Sequence, residues 1–269
     1  MRRTLASLAA LASVTLLAAC ASTPGGPADE TAEPAPASAA DLVGLWKVSG
    51  VEGEQGTWLR LDGTDLQLLR DCGRAMGSWS GTDTLFLGQL FASDGGCAPD
   101  GLAADWLTSA VSYEADGDGW ALLDGDGALL ALLQEDGDGA SELSVEAPQL
   151  TAETRELLAT PAALPEDAEP TDLVGRWVPV EQTGDTEPFV EFTAGGDYTG
   201  SDGCNGAQGR WAADASGGMI ATAGVSTLIG CDGAPVPQWV GSARSAGTIG
   251  DELVLFDAEG AELGRLVAG

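Results

Sequence analysis

After residue 40 the chain is built of short apolar runs broken by Gly and Asp. Trp58-Leu59-Arg60-Leu61 and Phe189-Val190-Glu191-Phe192 alternate, or nearly alternate, apolar with polar positions ahead of such turns, which is the period of a strand. Asp-Gly and Glu-Gly pairs at short intervals predict hairpins. A different period appears twice. Leu102, Trp106, Ala110 and Tyr113, and later Val236, Trp239, Val240 and Ala243, stand at helical spacing after a cysteine and a proline. Proline suits a first helical turn, where its missing donor would be unpaired anyway. The pattern predicts a mainly β chain of the α+β class, in which two small antiparallel sheets each curl around one core helix.

The same spacings recur in two halves. Asp41-Leu42-Val43-Gly44-Leu45-Trp46 returns as Asp172-Leu173-Val174-Gly175-Arg176-Trp177. Trp58 follows Trp46 at the distance at which Phe189 follows Trp177, and Cys72 precedes Trp79 as Cys204 precedes Trp211. Repeats decide the architecture and are read first. They predict one unit over 41–147 and a second over 172–269. The segment 148–171 between them is a linker with Pro148, Pro161, Pro165 and Pro170 and a short helical piece from Thr151 to Leu158.

The N-terminus reads as an address. Arg2 and Arg3 precede an apolar run from Leu5 to Ala19, which ends in Leu17-Ala18-Ala19-Cys20. Small residues ahead of a cysteine are the pattern of a bacterial lipoprotein cleavage site, so residues 1–19 are expected to be a signal peptide and Cys20 the lipidated residue. The run is shorter than the roughly 20 residues of a spanning helix. Residues 20–40, rich in Ala, Pro, Ser, Thr and acids, then form a flexible tether.

Charge and missing residue types narrow the chemistry. Eleven basic residues face 42 acidic ones, a formal charge of −31, which excludes a nucleic-acid backbone as partner. With no histidine there is no Ser-His or Cys-His nucleophile and no histidine-ligated zinc. Lys47, the sole lysine, has no obvious Ser partner. Apart from Cys20, the cysteines form one pair per unit. Four cysteines allow three connectivities, and Cys72 with Cys97 and Cys204 with Cys231 fits a repeat that folds on its own and is exported. A Cys₄ zinc site would need more closely spaced ligands. A carboxylate hydrolase stays formally open, but so many acids single out no pair.

Two further features invite a site. Asp116-Gly117-Asp118-Gly119, Asp124-Gly125-Asp126-Gly127 and Asp136-Gly137-Asp138-Gly139 suggest calcium, but Trp120 and Ala128 stand where an EF-hand needs a further oxygen ligand. Unit two has Asp257-Ala258-Glu259-Gly260 at the second run, which turn chemistry alone accommodates. No metal or cofactor is expected. The polar, Gly-rich stretch Ser201 to Gly209 is either a tight turn shaped around the bridge or a recognition loop, with Ser201, Asp202, Asn205 and Gln208 as its candidate residues.

Gly175-Arg176-Trp177, Gly200-Ser201-Asp202-Gly203-Cys204-Asn205-Gly206, Thr227-Leu228-Ile229-Gly230-Cys231 and Leu253-Val254-Leu255-Phe256, in this order, resemble the META (HslJ-like) domain family. The resemblance covers nearly all of 172–269. Unit one departs from it, with Asp71-Cys72-Gly73-Arg74 and no counterpart of Asn205. The resemblance implies a compact β-rich domain with a packed helix, an envelope or stress-related role, and no established active site. The expectation is a non-enzymatic lipoprotein facing outside the cytoplasm, on the outer membrane if the cell has one. The alternative is a module that binds or inhibits an exported protein or glycan.

Overall fold

The computed structural model describes residues 38–96, 102–136, 145–181, 186–227, 229–230 and 232–269. In unit one the strands are β1 (Gly44–Ser49), β2 (Trp58–Asp62), β3 (Asp65–Arg70), β4 (Gly73–Gly81), β5 (Phe86–Gly95), β6 (Ser112–Asp116), β7 (Gly119–Leu123) and β8 (Leu129–Gln134). In unit two they are β9 (Gly175–Pro179), β10 (Phe189–Phe192), β11 (Asp197–Ser201), β12 (Gly206–Ala213), β13 (Met219–Ala221), β14 (Ser245–Ile249), β15 (Glu252–Phe256) and β16 (Glu262–Ala268). Each set forms one eight-stranded antiparallel sheet in the same order, with the last strand returning to the first: β8 on β1, β16 on β9.

That return wraps each sheet into an up-and-down barrel, in which one break remains between the fifth and sixth strands. In barrel one the break is spanned by the Leu85–Ser112 bridge and a 3.0 Å bond from Phe86 N to Val111 O. In barrel two it is spanned by the Gly218–Ser245 bridge and a 2.9 Å bond from Met219 N to Arg244 O.

The expected α+β class, with sheets curled around a helix, is therefore corrected: the molecule is nearly all β. The three α-helices among the described residues are short: α1 (Asp105–Thr108), α2 (Ala152–Leu157) and α3 (Val236–Ser242). α1 and α3 each lie between the fifth and sixth strands in the chain, and each adds side chains to its barrel's interior, Trp106 and Leu107 in the first and Val236 and Val240 in the second. The helical spacing from Leu102 to Tyr113 misleads because α1 stops at Thr108 and Tyr113 already lies in β6. In unit two Pro237 in the first turn and Ala243 at the C-cap hold α3 to seven residues. Trp239 on α3 lies flat against Gly264 of β16, where a Cβ would come within 2.5 Å of the ring.

Each barrel has its own apolar interior. Trp46, Leu59, Leu61, Leu66, Leu68, Trp79, Phe86 and Leu133 fill the first. Val190, Phe192, Tyr198, Val240, Leu253, Leu255 and Leu266 fill the second. Trp106, expected in the core, is buried with the first set. A third cluster joins the barrels: Leu85 and Leu87 meet Ile220, flanked by Val111 and Ala212. Around it, Ser78 Oγ donates to Ala223 O at 2.8 Å, Thr222 Oγ1 donates to Gln89 Oε1 at 2.8 Å, and Arg210 donates to Ala110 O at 3.3 Å. Burial lowers the Arg210 pKa, against the pull of Asp197. The 148–171 segment is docked along this junction. Thr151 caps α2 by accepting Thr154 N at 3.0 Å, and Leu158 is buried with barrel one. Glu169 and Thr248 exchange backbone hydrogen bonds, and Ala168 packs on Val254 and Phe256 of barrel two.

Candidate functional site

The Ser201–Gly206 loop joins β11 to β12 and is organised by its own side chains. Asp202 Oδ1 accepts from Cys204 N at 2.8 Å and Asn205 N at 2.6 Å, and Ser201 Oγ accepts from Gly203 N at 2.9 Å. Gly203 has φ +94°, and a Cβ there would lie 2.3 Å from that of Thr186, so the loop requires glycine twice over. Asn205 is only 8 % exposed. Its Nδ2 donates to Asp202 Oδ2 at 2.9 Å and to Ile229 O at 2.7 Å, while its Oδ1 accepts from Thr227 Oγ1 at 2.8 Å and Ile229 N at 2.7 Å. Two donors and two lone pairs are the whole capacity of a side-chain amide. Asn205 is thus a clasp that ties the Cys204 loop to Thr227 and Ile229. Desolvation pulls the Asp202 carboxyl pKa up, but hydrogen bonds from the Asn205 side chain and from nearby backbone N–H groups outweigh it and hold the pKa low.

Asp202, Asn205 and Gln208 line a pocket of about 290 Å³, whose other walls include Tyr198, Ser226, Pro235, Pro237 and Gln238. Ser201 does not line it. Tyr198 donates its hydroxyl to Thr222 O at 3.0 Å, and burial pushes its pKa up to about 12. The solvent-exposed amides of Gln208 and Gln238 form the outer polar rim. Beside the pocket, Val225 and Ile229 are 70 % and 61 % exposed. Asp202 is the one carboxylate lining this pocket among the described residues.

Unit one has a buried polar hub of its own, at a different loop, built on a salt bridge. Glu54, in the β1–β2 loop and 8 % exposed, accepts from Thr57 Oγ1 at 2.7 Å, Arg70 Nε at 2.9 Å and Trp106 Nε1 at 3.0 Å, and its other contact with Arg70 is a direct ion pair. Arg70 also donates to Ala103 O at 2.9 Å. Burial alone would raise the Glu54 pKa. The hydrogen bonds from Arg70, Thr57 and Trp106, with the Arg70 charge, bring it below the usual value. Sequence reasoning missed both residues. The available signal was scarcity: among so few basic residues, an arginine ending a Leu-rich strand demands an acidic partner.

The remaining candidates fall into place singly. Cys72 and Cys204 are disulfide-bonded. Cys97 and Cys231, assigned to them from the sequence, lie outside the described residues, as does Cys20. Lys47 pairs with Asp136 at 2.8 Å. Asp124 Oδ1 accepts from Asp126 N and Ala128 N, and Asp257 Oδ1 accepts from Glu259 N and Ala261 N, so matched Asx turns employ these carboxylates. Residues 137–139 of the third Asp-Gly run lie outside the described residues. Among the described residues no group of three acids or cysteines is placed to hold a metal ion, and no helix is long and apolar enough to cross a membrane. Compared with family models, curated proteins and solved structures, the chain finds no match.

Proposed function

We propose that the chain is a lipid-anchored, non-catalytic protein of the bacterial cell envelope. In this reading it carries tandem META (HslJ-like) domains, the first diverged, and serves envelope maintenance or the stress response. Leu17-Ala18-Ala19-Cys20 and the tether after it support the anchor. The non-catalytic part rests on one observation. The two buried polar hubs, Asn205 in barrel two and Glu54 in barrel one, direct their hydrogen bonds to protein groups and so brace loops. A catalytic centre instead keeps such groups aimed at a reacting atom.

A second reading, a module that binds an exported protein or glycan, is favoured by the glutamine-rimmed pocket and the exposed Val225 and Ile229 beside it.

The test is expression in a bacterial host with radiolabelled palmitate, followed by membrane fractionation. The wild type is expected to take up label and sediment with membranes, and Cys20→Ala to do neither. In a strain lacking the protein, heat or detergent sensitivity should be restored to normal by the wild type and not by Cys20→Ala. An unlabelled wild type, or full rescue by the variant, overturns the reading.

A further inference from the structure

Asn205 is the only asparagine in the sequence, and the residue after it is Gly206. That pair carries a reaction of its own. The backbone nitrogen that follows an asparagine can attack the side-chain amide carbon, and glycine, with no Cβ, hinders the attack least. In the folded chain the amide is pinned. Its Oδ1 accepts from Thr227 Oγ1 at 2.8 Å and Ile229 N at 2.7 Å, and its Nδ2 donates to Asp202 Oδ2 at 2.9 Å and Ile229 O at 2.7 Å. Turning Cγ onto Gly206 N breaks the bonds of Oδ1, and expelling Nδ2 breaks the other two. Gly206 itself is exposed at the start of β12, so the clasp and not burial of the following residue is the barrier.

Composition sharpens the point. A chain that uses asparagine nowhere else keeps one where two donors and two acceptors are needed on a single planar group. Aspartate at this position supplies no donor.

We propose that Asn205 is a self-modification site, silent while the clasp is closed and consumed when the Cys204 loop opens. On opening, Gly206 N gives its proton to hydroxide and bonds to Asn205 Cγ. The Cγ–Nδ2 bond breaks, and Nδ2 leaves as ammonia with a proton taken from water, which restores the hydroxide. The succinimide that remains adds water at one or other of its carbonyls. The product is aspartate or, with the main chain rerouted through Cγ, isoaspartate. In sum an amide and a water become a carboxylate and an ammonium ion. Neither product can donate to Asp202 or to Ile229 O, and each sets a second carboxylate against Asp202. The clasp does not re-form, so the loop is a one-way latch that records its own opening. Unit one has Gly73-Arg74 after its cysteine and carries no such group. Cys204, the neighbour of Asn205, is disulfide-bonded, so reduction removes the second restraint on the same loop.

The experiment incubates the full chain in non-ionic detergent and mildly alkaline buffer, and reads position 205 by peptide mapping with mass spectrometry. The folded, oxidised protein is compared with the same protein reduced and unfolded in urea. Conversion to aspartate and isoaspartate is expected to be at least about tenfold slower in the folded chain, because only its open fraction reacts. Thr227→Val removes one bond of the clasp and should speed conversion in the folded chain severalfold. Gly206→Ala, whose Cβ would meet nothing within 4 Å, should lose most of the conversion in urea, where folding does not matter. After refolding and reoxidation, the converted chain should lose the hydrogen-exchange protection of Ile229 N–H, and the unconverted chain should regain it. Equal rates in the folded and unfolded chain, no conversion in either, an unchanged folded rate in Thr227→Val, undiminished conversion of Gly206→Ala, or restored Ile229 protection in the converted chain overturns the proposal.

Discussion

Trp46 donates its indole N–H to the carbonyl of Leu42 at 2.8 Å, and Trp177 repeats that bond to Leu173 at 2.8 Å. The duplicated Asp-Leu-Val-Gly-x-Trp stretch is thus a folding device. A leucine plugs the barrel as the chain enters, and the tryptophan four residues on fastens the leucine's backbone while its own ring joins the interior. Trp46→Phe keeps most of the ring but strips that buried carbonyl of its donor. The expected loss is about 1–3 kcal/mol in urea denaturation. Trp177→Phe should lose less, because Trp177 is partly exposed and water can replace its bond.

Asn205→Ala should loosen the clasp that holds the Cys204 loop to Thr227 and Ile229. Four hydrogen bonds go at once, two of them to backbone groups of Ile229, and the expected cost is about 2–4 kcal/mol at roughly 1 kcal/mol per bond. Asn205→Asp should do at least as badly, since it removes both amide donors and sets a second negative charge against Asp202. Thermal unfolding of the two variants checks the order.

The Glu54 hub makes stability depend on acid. Its folded pKa lies below 4.5, so its contribution is fully present above that pH and is lost as pH falls through the lowered value. Acidification also neutralises other carboxylates and relieves the self-repulsion of a chain at −31, which acts in the opposite direction. The comparison that isolates Glu54 is therefore wild type against Glu54→Gln across pH 3–7. The variant should be less stable by about 3 kcal/mol at neutral pH, the cost of neutralising one member of a largely buried ion pair. The gap should narrow toward acid. A constant gap would show that the carboxylate charge is not what matters.

Both tyrosines should resist alkali. Burial raises Tyr198 to about 12, and burial with the charges of Asp83 and Asp41 raises Tyr113 further. A raised folded pKa means stability that is present below pH 10 and lost above it. Phenolate absorbance should stay absent at pH 11 in the folded protein and then appear together with unfolding. Titration near pH 10 with the fold intact would contradict the buried bonds of Tyr113 to Thr82 and of Tyr198 to Thr222.

Disulfide loss should be felt in both barrels. Cys72→Ser and Cys204→Ser each remove a cross-link, with an expected cost of about 3 kcal/mol for a loop of roughly 25 residues if each pairs within its own unit. Peptide mapping without reduction reads the pairing directly.

Local features were the legible ones. Trp58–Leu61 and Phe189–Phe192 fall inside β2 and β10, and the Asp124 and Asp257 turns follow from side chains bonding their own backbone. What escaped was non-local. Nothing near Val48 announces that it pairs with Leu133 to close a barrel. The period through Leu102 and Tyr113 could not reveal that the chain leaves its helix after one turn. At the candidate loop, composition grouped Ser201, Asp202, Asn205 and Gln208 but could not show that Asn205 and Asp202 bond to each other. Glu54 and Arg70, sixteen residues apart and on different elements, carry no spacing rule at all.

The break in barrel one, flanked by Leu85 and Val111, is covered by the paired β12 and β13 of the other copy, through Ala212 and Ile220. Unsatisfied strand margins invite sticking and fibre growth when left bare. Here duplication supplies the cover: the second copy shields the first copy's weak side. A fragment carrying a single copy would lose that guard, and the linkage of two such copies in one polypeptide gives protection against clumping that neither would have alone.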